Sequence, residues 1–181
     1  MSSPACAASS DRLVLPAWRV RSIMFQAALI AAAVVLPHVA HVAHAPVYWL
    51  LPMHWPVVLA GLVYGPAGGL AVGVLSPVVS FSLSGMPPLG SVATMAAELG
   101  LYGLLTGLLR GGWRWNAVFA VALALLAGRV VAIGLGAVLG RPLPVLLAAY
   151  AKGLPCALAQ VAVLPMVGRW WVAREGGGGR A

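Results

Sequence analysis

Acidic side chains are nearly missing from this sequence. It has three Asp and Glu in 181 residues, against 11 Lys and Arg. Charged residues of either sign make up 8% of the chain, where a soluble domain carries roughly 25%. With Glu98 as the single acid inside an apolar stretch, the paired carboxylates of an acid/base enzyme are excluded. There is no Ser/His/Asp arrangement and no phosphate-cradling glycine loop followed by Lys-Ser/Thr, so the chain is not expected to be an enzyme or to hydrolyse ATP by itself. The two cysteines lie apart in character, Cys6 in a polar N-terminal stretch and Cys156 in an apolar run, and make no disulfide framework.

What is present is apolar. Hydrophobic residues reach 62% and the mean hydropathy is +0.98, the composition of an all-α integral membrane protein. The basic residues fall between the apolar runs, as topogenic charge does, so no nucleic-acid partner is expected. Arg19 and Arg21 followed by an apolar run resemble a signal peptide, but the run continues into further apolar segments and is read as a retained first helix. Pro, Gly and Arg divide the apolar material into six pieces: 21–37, 53–64, 69–83, 91–109, 116–139 and 144–172. Residues 1–20 form a cytoplasmic N-terminal tail, 21–172 a six-helix membrane domain and 173–181 a disordered C-terminal tail; 38–52 is a non-spanning extracellular loop. Counting loops from an inner N-terminus puts Arg12, Arg19, Arg21, Arg110, Arg114, Arg169, Arg174 and Arg180 inside and Arg141 alone outside. Both termini are therefore expected to be cytoplasmic.

Three ionisable groups lie deep in these pieces. Glu98 is ~10 Å, Lys152 ~12 Å and Arg129 ~16 Å from the outer surface at the helical rise. Charges at that depth are expensive and mark binding or transport sites, or else internal ion pairs that fix helix register. Glu98 is expected to pair with one cation, leaving the other, Arg129, to grip a ligand carboxylate with its planar fork. Ser91, Thr94, Glu98 and Tyr102 make one polar stripe, and Lys152 and Gln160 share a face across Pro155. His38, His41 and His44 recur at every third residue, and His54 follows; with no Cys or carboxylate nearby they are read as lining the mouth of a ligand pocket, and neither metal nor cofactor is expected. Small residues recur at four-residue spacing in Ala27/Ala31, Ala28/Ala32 and Gly128/Ala132/Gly136, which serves either packing within the bundle or docking of another membrane subunit.

Between Pro52 and Leu109 the sequence reads PMHxPxxxAG, GPxxGxxxGxxSP, SGMPP and ExxxYG in that order. This series resembles the substrate-binding S components of energy-coupling factor (ECF) transporters, with Ser84 where the family usually has Thr. The resemblance implies a six-helix subunit of the prokaryotic plasma membrane that binds a vitamin or similar micronutrient, the spare positive charge here favouring one that bears a carboxylate. It implies partners too: a transmembrane coupling subunit docked on Ala27, Ala28, Ala31 and Ala32, and two cytoplasmic ATPases. The 38–52 loop would cap the substrate, and the candidate substrate-binding residues are Glu98, Arg129, Lys152, Tyr102, Thr94, His54, Trp49 and Gln160. The rival readings are a structural or assembly protein whose charges lock the bundle, and a small stand-alone carrier, which an inverted repeat would mark.

Overall fold

A chain surrounded by lipid must satisfy its backbone internally, which for a sequence without strand periodicity means helices. The computed structural model describes residues 13–44 and 46–177, and its regular structure is helical throughout. The elements are α1 (Val20–Val42), α2 (Val47–Leu50), α3 (His54–Ser84), α4 (Leu89–Gly107) running into a π-helix (Leu108–Gly112), α5 (Ala117–Val138), α6 (Leu143–Lys152) and α7 (Leu154–Gly177). Among the described residues five helices are long and apolar enough to cross a membrane: Val20–Val42, His54–Ser84, Leu89–Gly112, Ala117–Val138 and Leu154–Glu175. Leu36, Leu83, Leu126, Val130 and Leu158 are exposed while Val57, Val63, Val72, Leu99 and Val121 fill the core. Apolar residues thus lie inside and out, as lipid requires.

The second and third expected pieces form one assigned helix, α3, but not one straight rod. Gly65 has φ 71° and ψ −165°, a backbone that glycine adopts without steric cost. A Cβ at Gly61 and a Cβ at Gly69 would both collide with the Gly103 carbonyl, and one at Gly107 with Gly65 and Pro66. In a straight helix residues eight apart are ~12 Å apart, so α3 doubles back at Gly65 and both limbs lie against α4. The GPAGG turn read from the sequence is this reversal, and the bare backbones at Gly69 and Gly103 allow the close approach.

Two boundaries differ from the sequence reading. Pro37 does not end the first helix: α1 continues to Val42, carrying His38 and His41 on its last turns. Proline in a helix removes one backbone bond, a loss spanning helices tolerate, so the connection reduces to 43–53 around α2. The sixth piece is broken at Gly153 into α6, of 10 residues, and α7. At its other end α7 runs past Val172 to Gly177, where Glu175 meets Arg21 at 3.0 Å; the rest of the expected C-terminal tail, 178–181, and residues 1–12 of the N-terminal tail lie outside the described residues.

The contacts define two ends of the bundle. At one, the Leu15 amide donates to the Val63 carbonyl at 2.6 Å, Val14 lies beside Gly65 and Gly111, and Arg169 reaches Asn116. At the other, Arg141 donates to Ser91 Oγ at 2.7 Å and to the Gly90 carbonyl at 3.3 Å, joining the α5–α6 turn to the start of α4.

Candidate functional site

Glu98 projects from α4 into the packed interior and is 6% exposed. A buried carboxylate needs donors, and helical spacing supplies the first: four residues on, Tyr102 donates its hydroxyl to Oε1 at 2.6 Å. The Tyr150 hydroxyl, from α6, donates to Oε2 at 3.0 Å. His54, at the start of α3, places Nε2 3.9 Å from Oε1, beyond hydrogen-bond reach but close enough to act as a charge partner when protonated. The His54 and Tyr102 rings lie 5.4 Å apart. Tyr102 itself fits because α5 presents Gly128 to it; a Cβ at Gly128 would overlap the ring.

Arg129 follows Gly128 on α5 and is also buried. The geometry overturns the expected ion pair between Glu98 and a cation such as Arg129 or Lys152. Among the described residues the ion pairs are Arg21–Glu175 and His54–Glu98. The Arg129 fork is directed at the end of α6, with Nη1 donating to the Tyr150 carbonyl at 3.0 Å and Nη2 to the Gly153 carbonyl at 3.1 Å. A helix end leaves carbonyls without partners and carries partial negative charge, which a guanidinium satisfies. Its carbon also lies 5.9 Å from the Tyr150 ring centre.

Lys152 is not buried. The break at Gly153 interrupts the register that would have put it on the face of Gln160: Lys152 is exposed in a groove of about 580 Å³ with Pro144, Val145, Ala148 and Ala149, while Gln160 is fully buried on α7. Gln160 Nε2 donates to Cys156 Sγ at 3.5 Å. Thr94 is buried but turns its hydroxyl back to the Ser91 carbonyl at 2.9 Å, and Trp49 is 52% exposed. The remaining histidines, His38, His41 and His44, are exposed. No group of three or more His, Cys, Asp or Glu comes together among the described residues.

Two residues of this site escaped the sequence reading. Tyr150 is one. Cys156 is the other: its thiol donates to the Leu50 carbonyl at 2.8 Å and accepts from Trp55 Nε1 at 3.3 Å, tying α2 to α7. Leu51, next in sequence, has φ 42°, and its side chain lies over Gly153 beside Arg129. Buried polar atoms without a partner include His54 Nδ1, Arg129 Nε and Gln160 Oε1.

A bundle of lipid-facing helices that buries a carboxylate and a guanidinium among such open polar atoms has the features of a membrane transport protein's binding site. The family model for the ECF transporter substrate-specific component matches residues 21–168, and the chain belongs to that family. It is a substrate-binding transport subunit, not an enzyme. No curated protein and no solved structure matches it.

Proposed function

We propose that this S component captures a vitamin or similar small micronutrient at the Glu98 cluster and passes it inward as part of an ECF importer of the prokaryotic plasma membrane. The observation that carries the site is a set of unpartnered buried atoms, His54 Nδ1 on α3, Arg129 Nε on α5 and Gln160 Oε1 on α7, of which His54 lies beside Glu98. Buried polar atoms are ordinarily paired, so these three offer a polar ligand both a donor and an acceptor. Arg129 Nε is the donor for a carboxylate or another acceptor on the ligand. Lys152, being exposed, no longer argues for a carboxylate. The segment around α2 acts as the cap: a non-glycine residue in the left-handed region costs roughly 1–2 kcal/mol, and Leu51 bears that strain where it covers Gly153.

The small-residue face of α1 is the docking surface for the coupling subunit. Ala27, Ala28 and Ala31 are exposed and Ala32 half-buried, while Ser22, Gln26, Leu29, Ala33 and Ala40 face the bundle. The arginine-rich end of the bundle is the cytoplasmic one, with both termini there, on the positive-inside rule. The rival, that the cluster only locks the bundle, draws on the two carbonyls held by Arg129. Mass spectrometry of the gently purified chain separates the two: parent protein retains a small polar molecule, and Glu98→Gln loses it by tenfold or more, about 1.4 kcal/mol. A lock predicts equal retention with only a lower melting temperature.

A further inference from the structure

Ahead of α1, residues 13–17 cross the arginine-rich end of the bundle and are bonded into it. The reversal at Gly65 interrupts the hydrogen-bond ladder of α3, and Pro66 brings no amide, so the first limb, residues 54–64, ends with carbonyls short of helical donors. The Leu15 amide donates to one of them, that of Val63, at 2.6 Å. Leu15 packs on the core and Ala17 is part of it. Val14 fills the space beside two bare backbones: a Cβ at Gly65 would lie 3.5 Å from its side chain, and one at Gly111 3.0 Å. On the far side Gln26 of α1 is the anchor. Its Nε2 donates to the Ala17 carbonyl at 2.7 Å, and its Oε1 is 3.2 Å from where a Cβ at Gly68 would stand, on the second limb.

We propose that residues 13–17 are a strap that pins the inner end of the first α3 limb and thereby holds the Glu98 site closed at the limb's other end. The proposal rests on the reading of that cluster as the substrate site and of α1 as the docking helix. The limb is ~15 Å long. Its outer end carries His54, 3.9 Å from Glu98, and Trp55, whose Nε1 donates to Cys156 Sγ at 3.3 Å. Packed helical segments move as rigid bodies about hinges. The hinge here is Gly65, and the pivot is the close approach of Gly61 to the Gly103 carbonyl. Freeing the Val63 end lets the limb tilt, which draws His54 and Trp55 away from the site. Gln26 precedes the exposed Ala27 and Ala28, so a coupling subunit seated on that face acts on the strap's anchor directly. Docking at α1 thus loosens the grip on the substrate.

The native thiol of Cys156, 8% exposed and bonded by Trp55, reports on the limb. The test follows its alkylation by N-ethylmaleimide, read by peptide mass spectrometry, in the full chain carrying Cys6→Ser. Leu15→Pro removes the strap's amide and Gln26→Leu its anchor; each should speed the reaction about fivefold, the weight of one hydrogen bond. In Val14→Cys/Gly111→Cys the two β-carbons would stand 3.7 Å apart, within disulfide range. Oxidised, this lock should return Gln26→Leu to the parent rate, and reduction should undo it. In the complex with the coupling subunit Cys156 should react about fivefold faster than in the isolated chain, and the lock should cancel that gain. Parent rates in both strap variants, a 14–111 pair that does not oxidise, or equal rates in chain and complex would each overturn the proposal. So would a fast thiol under the closed lock, which would trace the effect to disturbed folding. The thiol is read without any ligand, so these failures are distinct from that of Glu98→Gln to lose the retained molecule, which would unseat the substrate site and leave the strap.

Discussion

Glu98 is held by two phenols from different helices, and the more buried of them depends on a glycine. Tyr102 occupies the space that a side chain at Gly128 would fill, so Gly128→Ala should push the ring and its hydroxyl away from Glu98. Overpacking of this kind costs about 1–3 kcal/mol, against about 1 kcal/mol for Tyr102→Phe, which keeps the ring and loses one bond. Thermal melts of the two variants should rank in that order, and equal melting would mean that the Gly128 contact is not tight. Glu98 and Tyr102 were legible because residues four apart share a helix face, and Arg129 because a charge in an apolar run announces itself. Tyr150 was not legible. Helical periodicity cannot be carried across a break, and Gly153 turns Tyr150 inward and Lys152 outward, where an unbroken helix would have grouped Lys152 with Gln160.

At the scale of the element, α1 separates packing from docking along one helix. Its bundle face is lined by Gln26, which donates to the Ala17 carbonyl at 2.7 Å, with Leu29 and Ala33; Ala27, Ala28 and Ala31 are exposed. Ala28→Leu should therefore leave the isolated subunit stable to within about 0.5 kcal/mol, as exposed substitutions do, and leave ligand retention unchanged, while reducing recovery of the coupling subunit. Loss of ligand together with the partner would place that face inside the bundle. The fifth helix answers the same question the other way: Gly128 lies against Tyr102, Ala132 is buried and Gly136 faces Leu146. Sequence alone left both stripes open, since alanine and glycine spacing records close approach but not which neighbour approaches. It also ended α1 at Pro37, because proline is a stop in water and only a kink in a helix whose other bonds are shielded by lipid.

For the whole molecule, composition gave the membrane, and the ordered motifs between Pro52 and Leu109 gave the family. Orientation rests on arginine placement. Cysteine labels at Gly111 and in the C-terminal segment should react from the cytoplasmic side and one at Arg141 from outside, in a background without Cys6 and Cys156; labelling of Gly111 from outside would invert the plan. The central claim, that this chain is the substrate-specific part of a larger importer, is tested most directly by isolating the tagged chain from its own membranes and quantifying what accompanies it. The account predicts a transmembrane coupling subunit and a pair of ATPases in fixed proportion to the chain, lost in the Ala28→Leu variant. Recovery of the ligand-loaded chain alone, with no ATPase even after cross-linking in the membrane, would contradict it.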